Sequence, residues 1–313
     1  MKLLYKSIDS VSTEEIRKFL NKNLEYDNFK RNSFEHILTN HLDFKNEDDR
    51  IAMTGKRIAG LILSAIDGSK GYIKMLCVDG KYRRKGIAAL LLKTVEDAFK
   101  KKGVKEILVA YAPGSYFYSG VDPRYTEAYM LLKSSGYERE GETLELEVDL
   151  KNSLIFDTAK EKILLKDGYK FSRAKKDDFC ELTELVEKNY GKIWKIELSN
   201  AMKIDPPDVE ICRKENKIIG FSAFDTTRLE CFGPIGVMEE FRSGKGIGRI
   251  LLLRALRDMN KKGYSKGIIP INSGTLILFY GRMCGARIAR IQWPMKKTLT
   301  QKCGGLSGIT NNL

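Results

Sequence analysis

The chain has 313 residues, more than one compact core needs, so its length predicts two domains of about 150 residues each. With 42% hydrophobic and 31% charged residues, the composition excludes a disordered chain, and no apolar stretch has the roughly 18 residues of a membrane span. The net charge is +14, of which +12 falls on residues 151–313, so the second half is expected to attract anions such as phosphates.

The first half of the sequence predicts strands and helices in alternation. A capped helix start is expected at Ser12–Glu15, and Gly103 is expected to end the longest helix. The predicted strands are 3–8, 58–66, 72–78, 106–112 and 137–150, and the later helices are 33–42, 86–102 and 125–134.

The second half predicts the same order of elements. Its strands are 169–174, 208–214, 217–224, a run that ends at Val237, 267–271 and 287–296. Its helices are 177–190, 192–202, one that ends at Lys262, and 275–282.

Short motifs recur 160 residues apart, which indicates a duplicated domain. Lys85-Gly-Ile recurs as Lys245-Gly-Ile, and Lys101-Lys-Gly recurs as Lys261-Lys-Gly. The two copies are therefore predicted to occupy residues 1–150 and 151–313.

A glycine-rich basic loop leads into a helix in both copies. Residues 82–88 read YRRKGIA, and residues 241–248 read FRSGKGIG. Glycine allows an anion to approach the free N–H groups at the positive end of a helix dipole, so each loop predicts a phosphate cradle. Neither loop has the G-x-x-x-x-G-K-[ST] pattern of the nucleotide P-loop or the dinucleotide fingerprint.

The first loop, placed between a β-rich run and an apolar helix, resembles the coenzyme A (CoA) loop of the GCN5-related N-acetyltransferases (GNAT). The pattern of that family is [QR]-x-x-G-x-[GA], and Arg83, Gly86 and Ala88 match it. The resemblance covers nearly the whole chain, as a tandem pair. It implies an α/β fold, with a mixed central sheet flanked by helices, and an N-acyltransferase that takes acetyl-CoA as donor without a metal.

The resemblance also implies the residues that bind CoA. The loop amides would hold its pyrophosphate, and the strand ahead of each loop would pair with its pantetheine arm. In the first copy these residues are Cys77, Val78, Arg83, Arg84, Lys85, Gly86, Ile87 and Ala88. In the second copy they are Gly236, Val237, Ser243, Gly244, Lys245, Gly246, Ile247, Gly248 and Asn272.

The second loop departs from the family pattern. It has one more residue between its strand and Gly246, and Ser243 rather than Arg242 takes the [QR] position. Either Gly244 absorbs the extra residue in a bulge, or this cradle is altered.

The resemblance implies an acid that protonates the departing thiolate, and Tyr280 lies close to the family position, where the first copy has Leu132. A buried packing tyrosine is the competing interpretation. For the base that accepts the proton of the attacking amine we identify Glu230, with Asp225 as second candidate. A solvated carboxylate at a strand edge is the competing interpretation of Glu230.

Residues 112–125, rich in aromatic residues and glycine, form an insertion that the second copy lacks. Such a segment predicts either a wall or lid of a substrate pocket, or an Ω-type loop packed on its own rings.

Taken together, the sequence predicts direct transfer of an acetyl group from acetyl-CoA to an amine through a ternary complex, catalysed by the second copy. The more regular loop of the first copy gives two alternatives: the first copy also binds CoA, or it is itself the catalytic copy with another proton route. Six scattered cysteines and two histidines form no metal motif, and they predict reduced thiols in the cytoplasm. The acceptor is expected to be a small molecule or a peptide, and the basic second half mildly favours an anionic one. A non-catalytic CoA-binding scaffold is the alternative. The spread of the basic residues argues against a nucleic-acid-binding protein.

Overall fold

The computed structural model describes residues 3–39, 49–109, 111–114, 116–151, 159–242, 244–272 and 274–299. The elements of the first half are β1 (Leu4–Ser7), α1 (Thr13–Asn23), α2 (Arg31–Thr39), β2 (Arg50–Thr54), β3 (Arg57–Asp67), β4 (Lys70–Val78), α3 (Ile87–Lys101), β5 (Glu106–Val109), α4 (Thr126–Ser134), β6 (Glu138–Arg139) and β7 (Thr143–Asp149). Those of the second half are α5 (Ala159–Lys166), β8 (Tyr169–Arg173), α6 (Phe179–Tyr190), α7 (Lys192–Met202), β9 (Val209–Lys214), β10 (Lys217–Phe224), β11 (Phe232–Val237), α8 (Ile247–Lys261), β12 (Lys266–Ile271), α9 (Thr275–Cys284), β13 (Arg287–Gln292) and β14 (Met295–Thr298).

Most predicted elements are confirmed with small shifts at their ends. At the start of α1 the capping box is formed, since the Ser12 N–H donates to the Glu15 carboxylate (2.9 Å) and the Glu15 N–H donates to Ser12 Oγ (3.3 Å). Residues 40–42 of a predicted helix and residue 110 of a predicted strand lie outside the described residues. The sequence analysis missed β2 and also α5, which lies in the segment between the copies.

The strands form mixed sheets flanked by helices, in the same order in both halves. The first half has one sheet in the order β1-β2-β3-β4-β5-β14-β6, in which only β4 and β5 are parallel. The second half has the same order in two pieces, β8-β9-β10-β11 and β12-β7-β13. No helix within the described ranges is long and apolar enough to cross a membrane.

Each half contains one strand that comes from the opposite half. β14 lies between β5 and β6, where Met295 pairs with Val109. β7 lies between β12 and β13, where Leu146 pairs with Ile269 on one side and with Ile288 on the other. The two halves therefore exchange their seventh strands. The domain boundary between residues 150 and 151 remains a prediction. The exchange shows in which sheet β7 and β14 lie, but it does not locate a boundary along the chain.

The exchanged strand β7 belongs to the core of the second half. Its alternate residues Leu144, Leu146 and Val148 are buried in the same cluster as Leu252 and Leu256 of α8. Burial of each such side chain contributes about 1.5–3 kcal/mol to folding. Without the exchange, β5 and β12 would also each present an unpaired edge.

Two predicted strands are each divided into two strands of different sheets. Residues 137–150 become β6 and β7, with Gly141 between them at φ +71°. Residues 287–296 become β13 and β14, separated by Trp293 and Pro294. Proline lacks the N–H that a continuous ladder needs, and the Trp293 N–H donates instead to Val121 O (2.8 Å).

Because each half needs a strand from the other, we expect one unfolding transition for the whole chain. Differential scanning calorimetry should give a single peak whose calorimetric and van 't Hoff enthalpies agree. Leu146→Ala should move that peak as a whole, since a large-to-small change in a core costs about 2–5 kcal/mol, whereas Glu147→Ala on the same strand is the matched control. Two separate peaks, of which Leu146→Ala moves only one, would contradict the coupling.

Candidate active site

The strands β11 and β12 lie side by side but are joined at one point only. Cys231 forms a parallel bridge with Ile268, whose N–H donates to Glu230 O (2.8 Å). Beyond this point the two strands part, and a cavity of about 990 Å³ lies between them. Since β11 pairs with β10 on its other side only, its free edge faces this cavity.

The glycine-rich loop of the second half lies at the far end of β11. Gly244 (φ +69°) and Gly246 (φ +84°) adopt left-handed conformations, and α8 begins directly afterwards at Ile247. The first N–H groups of a helix have no partner within the helix, so this end of α8 presents free donors at the positive end of its dipole. Gly244, Gly246, Ile247 and Gly248 all line the cavity. The loop is therefore built as a seat for an anion.

The structure places Arg242 in the position that the motif alignment gave to Ser243. The Arg242 Nε donates to Val237 O (2.8 Å), as Arg83 Nε donates to Val78 O (3.3 Å) in the first half. By this hydrogen bond Arg242 corresponds to Arg83, and the assignment of Ser243 to CoA stays a prediction. The additional residue follows the arginine, and Ser243 itself lies outside the described residues.

Three cationic residues line the cavity at this loop. They are Lys160, Arg242 and Arg249. Lys160 comes from α5, and its Cε would lie 2.8 Å from a Cβ built on Gly246. Lys245, which the sequence analysis assigned to CoA, instead donates to Tyr169 Oη (2.8 Å). The positive charge at the cradle thus comes partly from a helix outside the loop.

Two further predicted CoA residues, Gly236 and Val237, line the cavity from β11. The Val237 carbonyl already accepts hydrogen bonds from Tyr190 Oη (2.9 Å) and Arg242 Nε. Asn272 lies at the cavity directly after β12, where its side chain is exposed.

The predicted acid, Tyr280, also lines the cavity. Its side chain is 6% exposed and packs edge-on against Phe232, with ring centroids 6.2 Å apart. Burial raises the pKa of Tyr280, so its phenol stays protonated at neutral pH. Tyr280 is therefore packed in the core, as expected for a structural tyrosine, and it also lines the cavity, as expected for the acid.

The structure does not bring the two predicted bases into the cavity. Glu230 forms an ion pair with Lys30, which directly precedes α2 (2.8 Å). Asp225 is 1% exposed, and its carboxylate accepts hydrogen bonds from Lys262 Nζ (3.1 Å) and Tyr264 Oη (2.8 Å). Neither residue is among the described residues that line the cavity. The assignment of Glu230 as base is therefore without structural support.

Comparison with known proteins gives a family for the first half. Residues 8–118 match the family model "Acetyltransferase (GNAT) domain". No curated protein is significantly similar in sequence to the chain. The first half thus contains a segment that matches a GNAT domain.

Solved structures show that the GNAT fold extends over both halves. A tandem GNAT protein from the clavulanic acid biosynthesis pathway is 14% identical with a TM-score of 0.70, over 95% of this chain and 98% of that one. A GCN5-related N-acetyltransferase from Sphaerobacter thermophilus is 13% identical with a TM-score of 0.69, over 95% of each chain. A GCN5-related glucosamine N-acetyltransferase region of a fungal multi-domain GH3 β-N-acetylglucosaminidase is 18% identical, with a TM-score of 0.78 over 95% of this chain. The match spans only 38% of the fungal protein.

The first GNAT copy keeps the backbone of the cradle. Arg83 also donates to Asn23 O (2.9 Å), Lys85 donates to Lys81 O (3.2 Å), and Gly86 (φ +77°) directly precedes α3. The other loop residues predicted to bind CoA are an exposed Arg84 at φ +60°, a buried Ile87 and a half-buried Ala88.

The insertion packs beside the split of this first copy. β4 and β5 pair from Lys70 to Ile73 and then part. Tyr118 packs against two core clusters of the first half, which lie on opposite faces of the sheet. Phe117 is fully buried against Phe29 (5.3 Å between ring centroids). In the parted section of β4, Cys77 is buried in one of these clusters, and Val78 packs against the other. The parted section of β4, where the resemblance places pantetheine, is therefore packed against the core of this copy.

The residues that close the other end of the cavity were not predicted from the sequence. Trp194 and Glu197 line this end from α7. Tyr116 lines it from the insertion, and so does Tyr111, which directly precedes the insertion. A signal was present, because Trp194 and Glu197 are three residues apart on a predicted helix and so share a face. A carboxylate and a tryptophan on the same buried face of a helix are an unusual pair, and this pair could have marked them as candidates.

Proposed function

We propose that this protein is an N-acetyltransferase that transfers the acetyl group of acetyl-CoA directly to an amine, and that its second half binds the donor. The observation that carries the proposal is one continuous cavity that runs from the cradle at Gly246 along β11 to Tyr280 and Trp194 of α7. The match of residues 8–118 to a GNAT domain supports the class of donor, and the open split supports the choice of the second half.

Each part of acetyl-CoA has a matching part of the cavity. The free N–H groups of the cradle and the cations Lys160, Arg242 and Arg249 would neutralise phosphates. The free edge of β11 offers backbone groups to the amides of pantetheine, as an exposed strand does for an extended peptide. The thioester would then lie close to Tyr280.

Tyr280 is proposed to donate a proton to the CoA thiolate as it leaves. A phenol kept neutral by burial can serve as this acid at neutral pH. Cys231 lies in the same cavity, but burial raises the pKa of its thiol to about 11. Since the thiolate is the nucleophile, a thiol with this pKa supports direct transfer rather than an acyl-cysteine intermediate.

Isothermal titration of acetyl-CoA into Gly246→Trp and Gly86→Trp tests the choice of cradle. The two glycines have similar positive φ values and each precedes a long helix, so the backbone strain of the two substitutions is matched. We expect one site in the wild type and a loss of at least about 100-fold in affinity in Gly246→Trp only. Two charge-assisted hydrogen bonds lost at about 1.5 kcal/mol each give this factor.

Circular dichroism of both variants serves as the folding control. Loss of binding in Gly86→Trp alone would place the donor in the first half and contradict the proposal. Binding without thiol release for any amine would favour the CoA-binding scaffold.

A further inference from the structure

The charged residues that line the cavity are separated by sign. Lys160, Arg242 and Arg249 lie at the cradle, whereas Glu197 is the one acidic residue in the lining within the described ranges. Glu197 interacts electrostatically with Cys231, directly before β11, while the cradle follows the other end of that strand. The six residues of β11, at about 3.3 Å each, separate the two ends by about 20 Å.

The end of the cavity at Glu197 has aromatic walls. Trp194 lies one turn before Glu197 on α7, and both face the cavity. Tyr111 and Tyr116 also line this end, where both interact electrostatically with Glu197, and their ring centroids lie 4.7 Å apart. Aromatic faces attract cations, and a carboxylate among them adds a negative charge. This end is therefore suited to a positively charged group with an apolar body.

The aromatic wall is fixed against α7. Asn200, one turn beyond Glu197, donates to Gly114 O (3.1 Å) and to Thr226 O (3.0 Å). A Cβ on Gly114 would lie 2.5 Å from Ile196 Cγ2, so the backbone of the first half approaches α7 more closely than other residues allow. The first half thus supplies a rigid wall to the cavity of the second.

Glu197 is 7% exposed and has no hydrogen bond or ion pair within the described part of the chain. Burial raises its pKa to about 7. Its titratable neighbours are Tyr111, Tyr116 and Cys231, which burial keeps uncharged at neutral pH. Arg228 interacts electrostatically with Tyr116 and Cys231, but its guanidinium is ion paired with the Glu145 carboxylate of β7. No cation therefore neutralises Glu197 from these neighbours.

We propose that this end of the cavity receives a cationic amine with a compact apolar body, and that Glu197 is the base that takes its proton. The proposal rests on the acetyltransferase function proposed above. It replaces Glu230 by a residue that lines the cavity, and it replaces the expectation of an anionic acceptor, because the local charge at this end is negative.

For an ammonium acceptor, Glu197 accepts one proton, and the freed lone pair attacks the thioester carbonyl carbon, which forms the C–N bond. The C–S bond then breaks, and sulfur leaves with its electron pair as a thiolate that takes the Tyr280 proton. The nitrogen loses its second proton as the amide forms, and this proton passes through solvent to restore the Tyr280 phenol. Glu197 releases the first proton to solvent, so that the net result is one proton on CoA and one in solvent.

The protonation of Glu197 can be followed without any substrate. Trp194 lies beside it, and the other tryptophan, Trp293, is on the strand connection between β13 and β14. We expect the tryptophan fluorescence to titrate with a midpoint near pH 7 in the wild type and in Glu230→Gln, and to lose this transition in Glu197→Gln. A transition near pH 7 that persists in Glu197→Gln would overturn the proposal.

Binding of two matched probes tests the class of acceptor. 2-Phenylethylamine and phenylalanine share an aromatic body and an amine, but only phenylalanine has a carboxylate. The wild type should bind 2-phenylethylamine at least about tenfold more tightly, because Glu197 repels a second carboxylate. This preference should disappear in Glu197→Gln and persist in Glu230→Gln. Equal affinities in the wild type would contradict the proposal.

Turnover separates this proposal from the function on which it rests. CoA release with 2-phenylethylamine should fall about 100-fold or more in Glu197→Gln, with acetyl-CoA affinity unchanged, and the limb near pH 7 in the wild-type kcat/KM profile should vanish. Unchanged turnover in Glu197→Gln would refute Glu197 as the base and would leave the acetyltransferase function standing. Selective binding of 2-phenylethylamine without any CoA release would refute the acetyltransferase function and leave the cation site standing.

Discussion

Replacing Arg228 with alanine is expected to lower the free energy of unfolding by about 3–5 kcal/mol. Arg228 forms an ion pair with Glu145 of the exchanged strand β7, and it donates a hydrogen bond to Phe117 O of the insertion (3.0 Å). The side chains of Arg228 and Glu145 are only 14% and 8% exposed. Truncation would leave the charge of Glu145 buried without a partner, and the cost of such a charge dominates the expected loss.

Urea denaturation of the variant measures this effect, and the same strand offers a matched control. Lys266→Ala removes an exposed partner of Glu147, 2.8 Å away, and should cost less than about 1 kcal/mol. A double variant, Arg228→Met with Glu145→Leu, should recover most of the loss, because no buried charge remains. A loss below about 1 kcal/mol in Arg228→Ala would show that water reaches Glu145.

Replacing Glu197 with glutamine is expected to stabilise the protein at pH 8 and to leave it nearly unchanged at pH 5. Burial raises the pKa of Glu197 in the folded state from its ordinary value of 4.5 to about 7. Between these two values the folded chain holds a proton that the unfolded chain has released, so stability falls as the pH rises through this window. About 2.5 pKa units at 1.36 kcal/mol each give a loss of about 3 kcal/mol that glutamine, which does not ionise, avoids.

Urea unfolding of Glu197→Gln and wild type at pH 5 and pH 8 measures this difference. Glu230→Gln is the control, because its carboxylate is partly exposed and ion paired with Lys30. A gain of the same size at both pH values would mean that the substitution acts through packing and not through ionisation. The expected result, together with a loss of activity, would show that the ionised carboxylate of Glu197 lowers the stability of the protein but is needed for catalysis.

The first half contributes to the cavity of the second in two ways. Tyr116 of the insertion lines the cavity. The exchanged strand β7 belongs to the same core cluster as Tyr280. The cavity of the second half therefore depends on residues of the first. Fold membership alone does not indicate this dependence, because function depends on the site and not on the fold.

Local patterns in the sequence were sufficient for the duplicated order of elements, the capped start of α1 and the two glycine loops that lead into helices. These features depend on residues within a few positions of one another, such as Ser12 with Glu15, or Gly246 with the helix that follows it. Short-range hydrogen bonds and allowed φ values determine them, so the residue types indicate them directly.

Only the tertiary structure decided which split is open, where the seventh strands lie and which carboxylate faces the cavity. The insertion around Phe117 reaches Phe29 and Phe34, β7 pairs with strands more than 100 residues away, and Glu197 meets Tyr116. A period-2 pattern places one face of a strand in a core but does not specify which sheet receives it. A carboxylate acquires its pKa from neighbours that the chain brings together only on folding, so the residue types alone did not single out Glu197.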